Sequence, residues 1–134
     1  MKSVLWSFTI ITILLVGCKE IFNNVEIEKL EFEKYNETLY LKRVMRELNY
    51  EVVVISKSKR KIFDPNKRKE YVFTAATSRI LYKQTLDSLV LYVNVPTIVP
   101  FNFETNVIIQ QIETDNQKRQ LLLKNHKDRG IKIF

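Results

Sequence analysis

Residues able to do chemistry are few and scattered along this 134-residue chain. His126 is the only histidine and Cys18 the only cysteine, so no set of histidine or thiolate ligands can gather around a metal. Asp128 follows His126 closely enough to imitate part of a catalytic dyad, but Lys127-Asp128-Arg129-Gly130 reads as a solvated turn. Paired carboxylates for glycoside cleavage would have to come from Glu26, Glu28, Glu31 and Glu33, which alternate with apolar residues and read as the solvated side of a strand. Gly17 and Gly130 are the only glycines, too few for a phosphate-cradling loop. What does concentrate is positive charge. Lys57, Lys59, Arg60, Lys61, Lys67, Arg68 and Lys69 bracket Ile62 and Phe63. Near an anionic surface each such cation contributes about 1 kcal/mol of attraction, and an exposed phenylalanine can enter a bilayer interface. The competing reading is a solvated loop with Ile62 and Phe63 tucked into the core. No enzyme activity, metal or cofactor is expected.

The N-terminus carries a different kind of signal. Lys2 precedes an apolar run from Val4 to Val16, and Leu15-Val16-Gly17-Cys18 closes it. These eighteen residues resemble the signal peptide and lipobox of bacterial lipoproteins. The resemblance implies removal of residues 1–17 and attachment of diacylglycerol to Cys18, with Leu15 and Gly17 at the aliphatic and small positions. The physics agrees with it. About 13 helical residues rise only about 20 Å, against a hydrocarbon core of about 30 Å. An uncleaved anchor and a buried core helix are the alternatives, and the lack of a polar face in Val4–Val16 speaks against the second. Two or more acyl chains hold a protein stably on a membrane, whereas one does so marginally.

Without residues 1–17 the chain has the length of one domain with a modest core, expected over 25–134. No second cysteine is present, so stability must come from packing. Charge is unevenly placed: residues 18–51 hold eight acids and six bases, residues 52–134 seven acids and fifteen bases. Such a balance favours anionic lipid, polyanionic glycan or an acidic protein. Nucleic acid is not expected, since no helix-turn-helix, RNP or zinc-finger pattern is visible and the leader directs export.

Periodicity then suggests the elements that must position these groups. Residues 18–24 form a short stub, in which six residues extend about 20 Å. Val25–Glu33 alternates with a one-residue phase slip, which predicts an edge strand with a bulge. Leu41, Val44, Met45 and Leu48 fall at i, i+3, i+4 and i+7, predicting an amphipathic helix over 36–48, capped by Asn36 or Thr38 and stopped at Asn49. Tyr50–Ile55 is β-branched on both faces and reads as a buried central strand. Ser56–Lys69 is a long loop or hairpin tip with a turn at Asp64-Pro65-Asn66. Residues 70–84 favour strand over helix. Leu89, Leu91, Val93 and Val95 line one strand face, and Pro96–Pro100 is extended without full pairing. Glu104–Glu113 and Lys118–Lys124 read as a hairpin turning on Asp115-Asn116, and Ile131–Phe134 as a closing strand after Gly130.

The expectation for fold is therefore α+β, one helix on a mainly antiparallel sheet, with an all-β sandwich as the alternative. For function it is a lipid-anchored, non-enzymatic protein of the bacterial cell envelope that binds a protein partner, as an assembly factor or an immunity-type inhibitor. The alternative is a binder of anionic lipid or glycan through the loop 57–69.

Overall fold

The computed structural model describes residues 25–47, 50–61, 64–74 and 79–134. The leader, Cys18 and the stub, as well as Asn49, Ile62 and Phe63, lie outside them. Two four-stranded sheets make up the described part. In the first, β1 (Val25–Phe32), β2 (Glu37–Glu47), β3 (Tyr50–Ser56) and β4 (Tyr71–Phe73) follow one another antiparallel. The second contains β5 (Leu81–Gln84), β6 (Ser88–Val93), β7 (Ile108–Glu113) and β8 (Lys132–Ile133), in the order β7-β6-β5-β8. A helix, α1 (Asn116–Lys124), completes the α+β class.

Alternating side chains put one face of each sheet into a shared core. Leu30, Leu39, Leu41, Val53 and Ile55 of the first sheet meet Tyr82, Leu89 and Leu91 of the second. β3 is interior, as expected, and all of Val52–Ile55 is buried. Its other face carries a small cluster with Val54, Val52 and Val72, which explains why β-branched residues occupy both faces of this strand.

The helix expected over 36–48 is corrected to a strand, β2. It is flanked by β1 and β3, which complete its backbone hydrogen bonds on both sides. Leu39 and Leu41 are buried on the core face and Lys42 and Val44 on the opposite one. A helix would bury a single stripe, so two-sided burial in a ladder overrides the helical spacing. Asn36, the expected helix cap, instead ends a single 3₁₀ turn, Glu33–Tyr35, with φ of 50°. The bulge expected in β1 is also absent: pairing runs unbroken from Val25↔Val44 to Phe32↔Glu37. A register shift lies in β2 instead, between Met45 and Glu47.

Lys118–Lys124 is corrected from strand to helix. The Asp115 carboxylate accepts the Lys118 backbone N–H at 2.7 Å, which caps an N-terminus that the hairpin reading had treated as a turn. Asn116–Lys124 holds no β-branched residue, glycine or proline, and Leu122 is buried beside Leu81 and Ile131 on the outer face of the second sheet. β7 consequently pairs with β6, in parallel. A parallel pair needs a crossover of a dozen or more residues, and residues 94–107 supply it. Val95, expected on the β6 face, belongs to that crossover and is exposed. Gly130 turns the chain into β8 with φ of 64°, where an L side chain would be strained.

Candidate surface-binding site

The loop joining β3 to β4 presents Lys57, Lys59, Arg60, Lys61, Lys67, Arg68 and Lys69, all exposed. Its described parts are held by local bonds. The Ser58 backbone N–H donates to Ser56 Oγ (3.0 Å) and that of Arg60 to Ser58 Oγ (3.2 Å). Asn66 Oδ1 accepts the Arg68 N–H at 3.0 Å, the side-chain turn expected around Pro65. One buried charge ties the loop to the sheet, and a second braces the loop just before β4. The Lys42 ammonium, fully buried on β2, donates to the Arg60 carbonyl (2.7 Å), and the Glu70 carboxylate accepts the Asn66 N–H (2.9 Å). Burial lowers the Lys42 pKa, and the charge of Glu70 pulls it partly back. Beneath the cations lies a hollow of about 440 Å³, lined in part by Lys57, Arg60, Lys69 and Glu70.

The β6–β7 crossover lies against this loop. Thr97 Oγ1 donates to the Val72 carbonyl (2.7 Å), and the Asn102 N–H donates to the Arg68 carbonyl (2.8 Å). The Phe103 ring meets Tyr71 edge-on at 5.1 Å, and the Lys57 ammonium donates to the Glu104 carbonyl. This strap therefore runs along the free edge of β4 and ends at the foot of the basic loop. Its outward side is apolar: Val95, Ile98, Val99 and Phe101 are 61, 88, 65 and 95 % exposed. Sequence reasoning missed these four as site residues. The available signal was a run from Asn94 to Phe103 with two prolines and no charged residue.

Glu37 fastens the far end of the strap. Its carboxylate accepts Thr105 Oγ1 at 2.6 Å and both the backbone and side-chain N–H of Asn106 at 2.8 Å. Burial raises its pKa, but these bonds, together with the charge of Lys57, outweigh that and leave it below its ordinary value of 4.5. A lowered folded-state pKa means that the contribution to stability is complete above about pH 4.5 and is lost as pH falls through the folded value. Amide exchange at Asn106 and Val107 is therefore expected to accelerate, relative to core amides, as pH drops below that point. In Glu37→Gln this acid-dependent component should vanish; its persistence in the variant would assign the effect elsewhere.

The other residues singled out by type lead to different surroundings. Because β1 runs without a bulge, Glu26 and Glu28 share the face of Leu30 and Phe32, at one end of the core. There the Arg43 Nη1 donates to Glu26 (3.2 Å) and the Tyr82 hydroxyl donates to Glu28. Burial, followed by that bond and the Glu28 charge, pushes the Tyr82 pKa up. Arg43 also stacks over Phe134 at 4.9 Å, and its Nε and Nη2 are buried without a partner. Glu26 and Glu28 line one hollow with Arg43 and Phe134, whereas Glu31 pairs with Lys29. His126 Nδ1 lies 2.7 Å from the Leu123 carbonyl at the end of α1, half-buried, while Asp128 is exposed. Among the described residues no group of three or more His, Cys, Asp or Glu is placed to hold a metal. No helix among them is long and apolar enough to cross a membrane.

No protein-family model, curated protein or solved structure matches this chain.

Proposed function

We propose that this chain is a lipid-anchored, non-enzymatic protein of the bacterial cell envelope, held by diacylglycerol on Cys18, whose domain binds an anionic surface through the loop 57–69. One observation carries the binding part: the seven cations are all exposed on a loop that the buried Lys42 holds to the sheet and the buried Glu70 braces from within. A merely solvated loop has no need of a buried lysine, whose desolvation is costly. Cations held at the surface keep their full attraction for phosphate or sulfate groups, while their exposure keeps their contribution to folding small.

Reversing four of them, Lys59, Arg60, Lys67 and Arg68 to Glu, tests this reading. Four attractions of about 1 kcal/mol each amount to roughly three decades of binding, with repulsion added. Protein beginning at residue 19, and so without lipid, should sediment with anionic vesicles at low salt, and the variant should not. Its melting temperature should stay nearly unchanged. Equal sedimentation of both proteins, or of neither, would remove the loop from consideration.

A protein partner is the second reading, and a separate observation favours it. β7 ends the second sheet with Ile108 58 % exposed, an edge onto which an extended segment can add a strand. Such an interface would keep its affinity at ionic strengths that abolish binding to a polyanion.

A further inference from the structure

We infer that the strap Val95–Phe101 inserts into the interface of a bilayer rich in acidic phospholipid, with the cations at 57, 59–61 and 67–69 gripping the phosphates around it. This inference rests on the anionic-surface reading above and commits it to one surface. A polyanionic glycan offers charge but no apolar phase, so Ile98 and Phe101 would have no role against it.

Four features of the strap fit a lipid interface. Its large side chains are displayed outward although the core is close at hand: Pro100, between Val99 and Phe101, is buried. The run Asn94–Phe103 carries no charge that would have to be desolvated. Part of its backbone polarity is also removed or satisfied: Pro96 and Pro100 have no N–H, and Gln111 bonds both backbone groups of Thr97. Gln111 Oε1 accepts the Thr97 N–H at 2.7 Å and its Nε2 donates to the Thr97 carbonyl at 2.9 Å. Finally, the cations are adjacent, since Asn102, next to Phe101, is bonded to the Arg68 carbonyl. Apolar side chains at the centre and cations at the margin complement acyl chains bordered by anionic head groups.

The proposed anchor permits this posture. β1 begins at Val25, three strand spacings or about 14 Å from β4, and the stub 19–24 can span about 20 Å. The β4 edge can therefore face the same membrane that holds Cys18.

Trp6 is the only tryptophan, so Trp6→Phe combined with Phe101→Trp leaves one tryptophan, at the tip of the strap, which can be excited apart from the six tyrosines. The mature acylated protein carrying these changes would be reconstituted into phosphatidylcholine vesicles with or without phosphatidylglycerol. Expected in the anionic vesicles is a blue-shifted emission that brominated acyl chains quench at least about twofold, and in neutral vesicles a water-like emission. The charge reversal at 59, 60, 67 and 68 should return the anionic case to the neutral one. Water-like emission in both vesicles overturns the insertion. So does a blue shift that brominated lipid leaves unquenched, because protein, a second copy included, would then cover the strap. Equal quenching in both vesicles overturns the requirement for acidic lipid. If charge reversal abolishes sedimentation while the fluorophore stays in water, only the insertion fails; if charge reversal has no effect on sedimentation, the underlying reading fails as well.

Discussion

Leu91→Asp is expected to abolish cooperative folding. Leu91 is fully buried on β6, with Tyr82 opposite on β5 and Gln111 on β7, and it lies in the core that both sheets share. An uncompensated charge at such a site costs several kcal/mol, against a net stability of about 5 to 15 for a typical domain. No disulfide can offset the loss, since Cys18 is the only cysteine. Val53→Asp, at an equally inward position on β3, should behave the same way. Leu86→Asp provides the control: that side chain is 78 % exposed, and its replacement should move stability by no more than about 0.5 kcal/mol. Thermal and urea melts followed by near-ultraviolet circular dichroism read all three. Wild-type melting of Leu91→Asp would show that the two sheets do not pack as described.

Cys18→Ser is expected to abolish acylation outright and to leave residues 1–17 in place. A serine hydroxyl cannot form the thioether that the lipobox resemblance implies, and the chain contains no other thiol. Cells fed a clickable fatty acid should label the natural protein and not the variant. Mass spectrometry should find residues 1–17 removed from the former only. Label on the variant, or residues 1–17 on the natural protein, would contradict the anchor. Neither result would bear on the basic loop, which acts through different residues.

Much of the fold was legible locally. Alternation in Val25–Phe32 and Ser88–Val93, and two-sided β-branching in β3, identify strands because side chains on a pleated backbone reach opposite faces in turn. Two elements misled, each for its own reason. Leu41, Val44 and Met45 satisfy a helical spacing, but a spacing states only which residues would share a face if a helix formed. β1 and β3 supplied partners for both edges of β2, and those partners are distant in sequence or depend on the turn at Asn36. In 116–124 the helix formers and the capping Asp115 were visible, yet an expected hairpin claimed the segment. The cap was the stronger local signal, because an aspartate before a run with no β-branched residue satisfies orphan N–H groups that a strand does not have.

The candidate site divides along the same line. Composition alone placed seven cations in one stretch and left Asn94–Phe103 without charge, since both are properties of the covalent chain. By itself the sequence also determined the turn chemistry at Pro65-Asn66 and Gly130, where φ preferences and side-chain bonds act within a few residues. Burial of Lys42, the parallel pairing of β7 with β6, and the meeting of the strap with the basic loop came only from tertiary structure. Those features require contacts between residues far apart in the chain: Arg60 with Lys42, Arg68 with Asn102, Val72 with Thr97. Local propensity is silent about which distant groups meet, because closing the intervening chain costs entropy that only the finished core offsets.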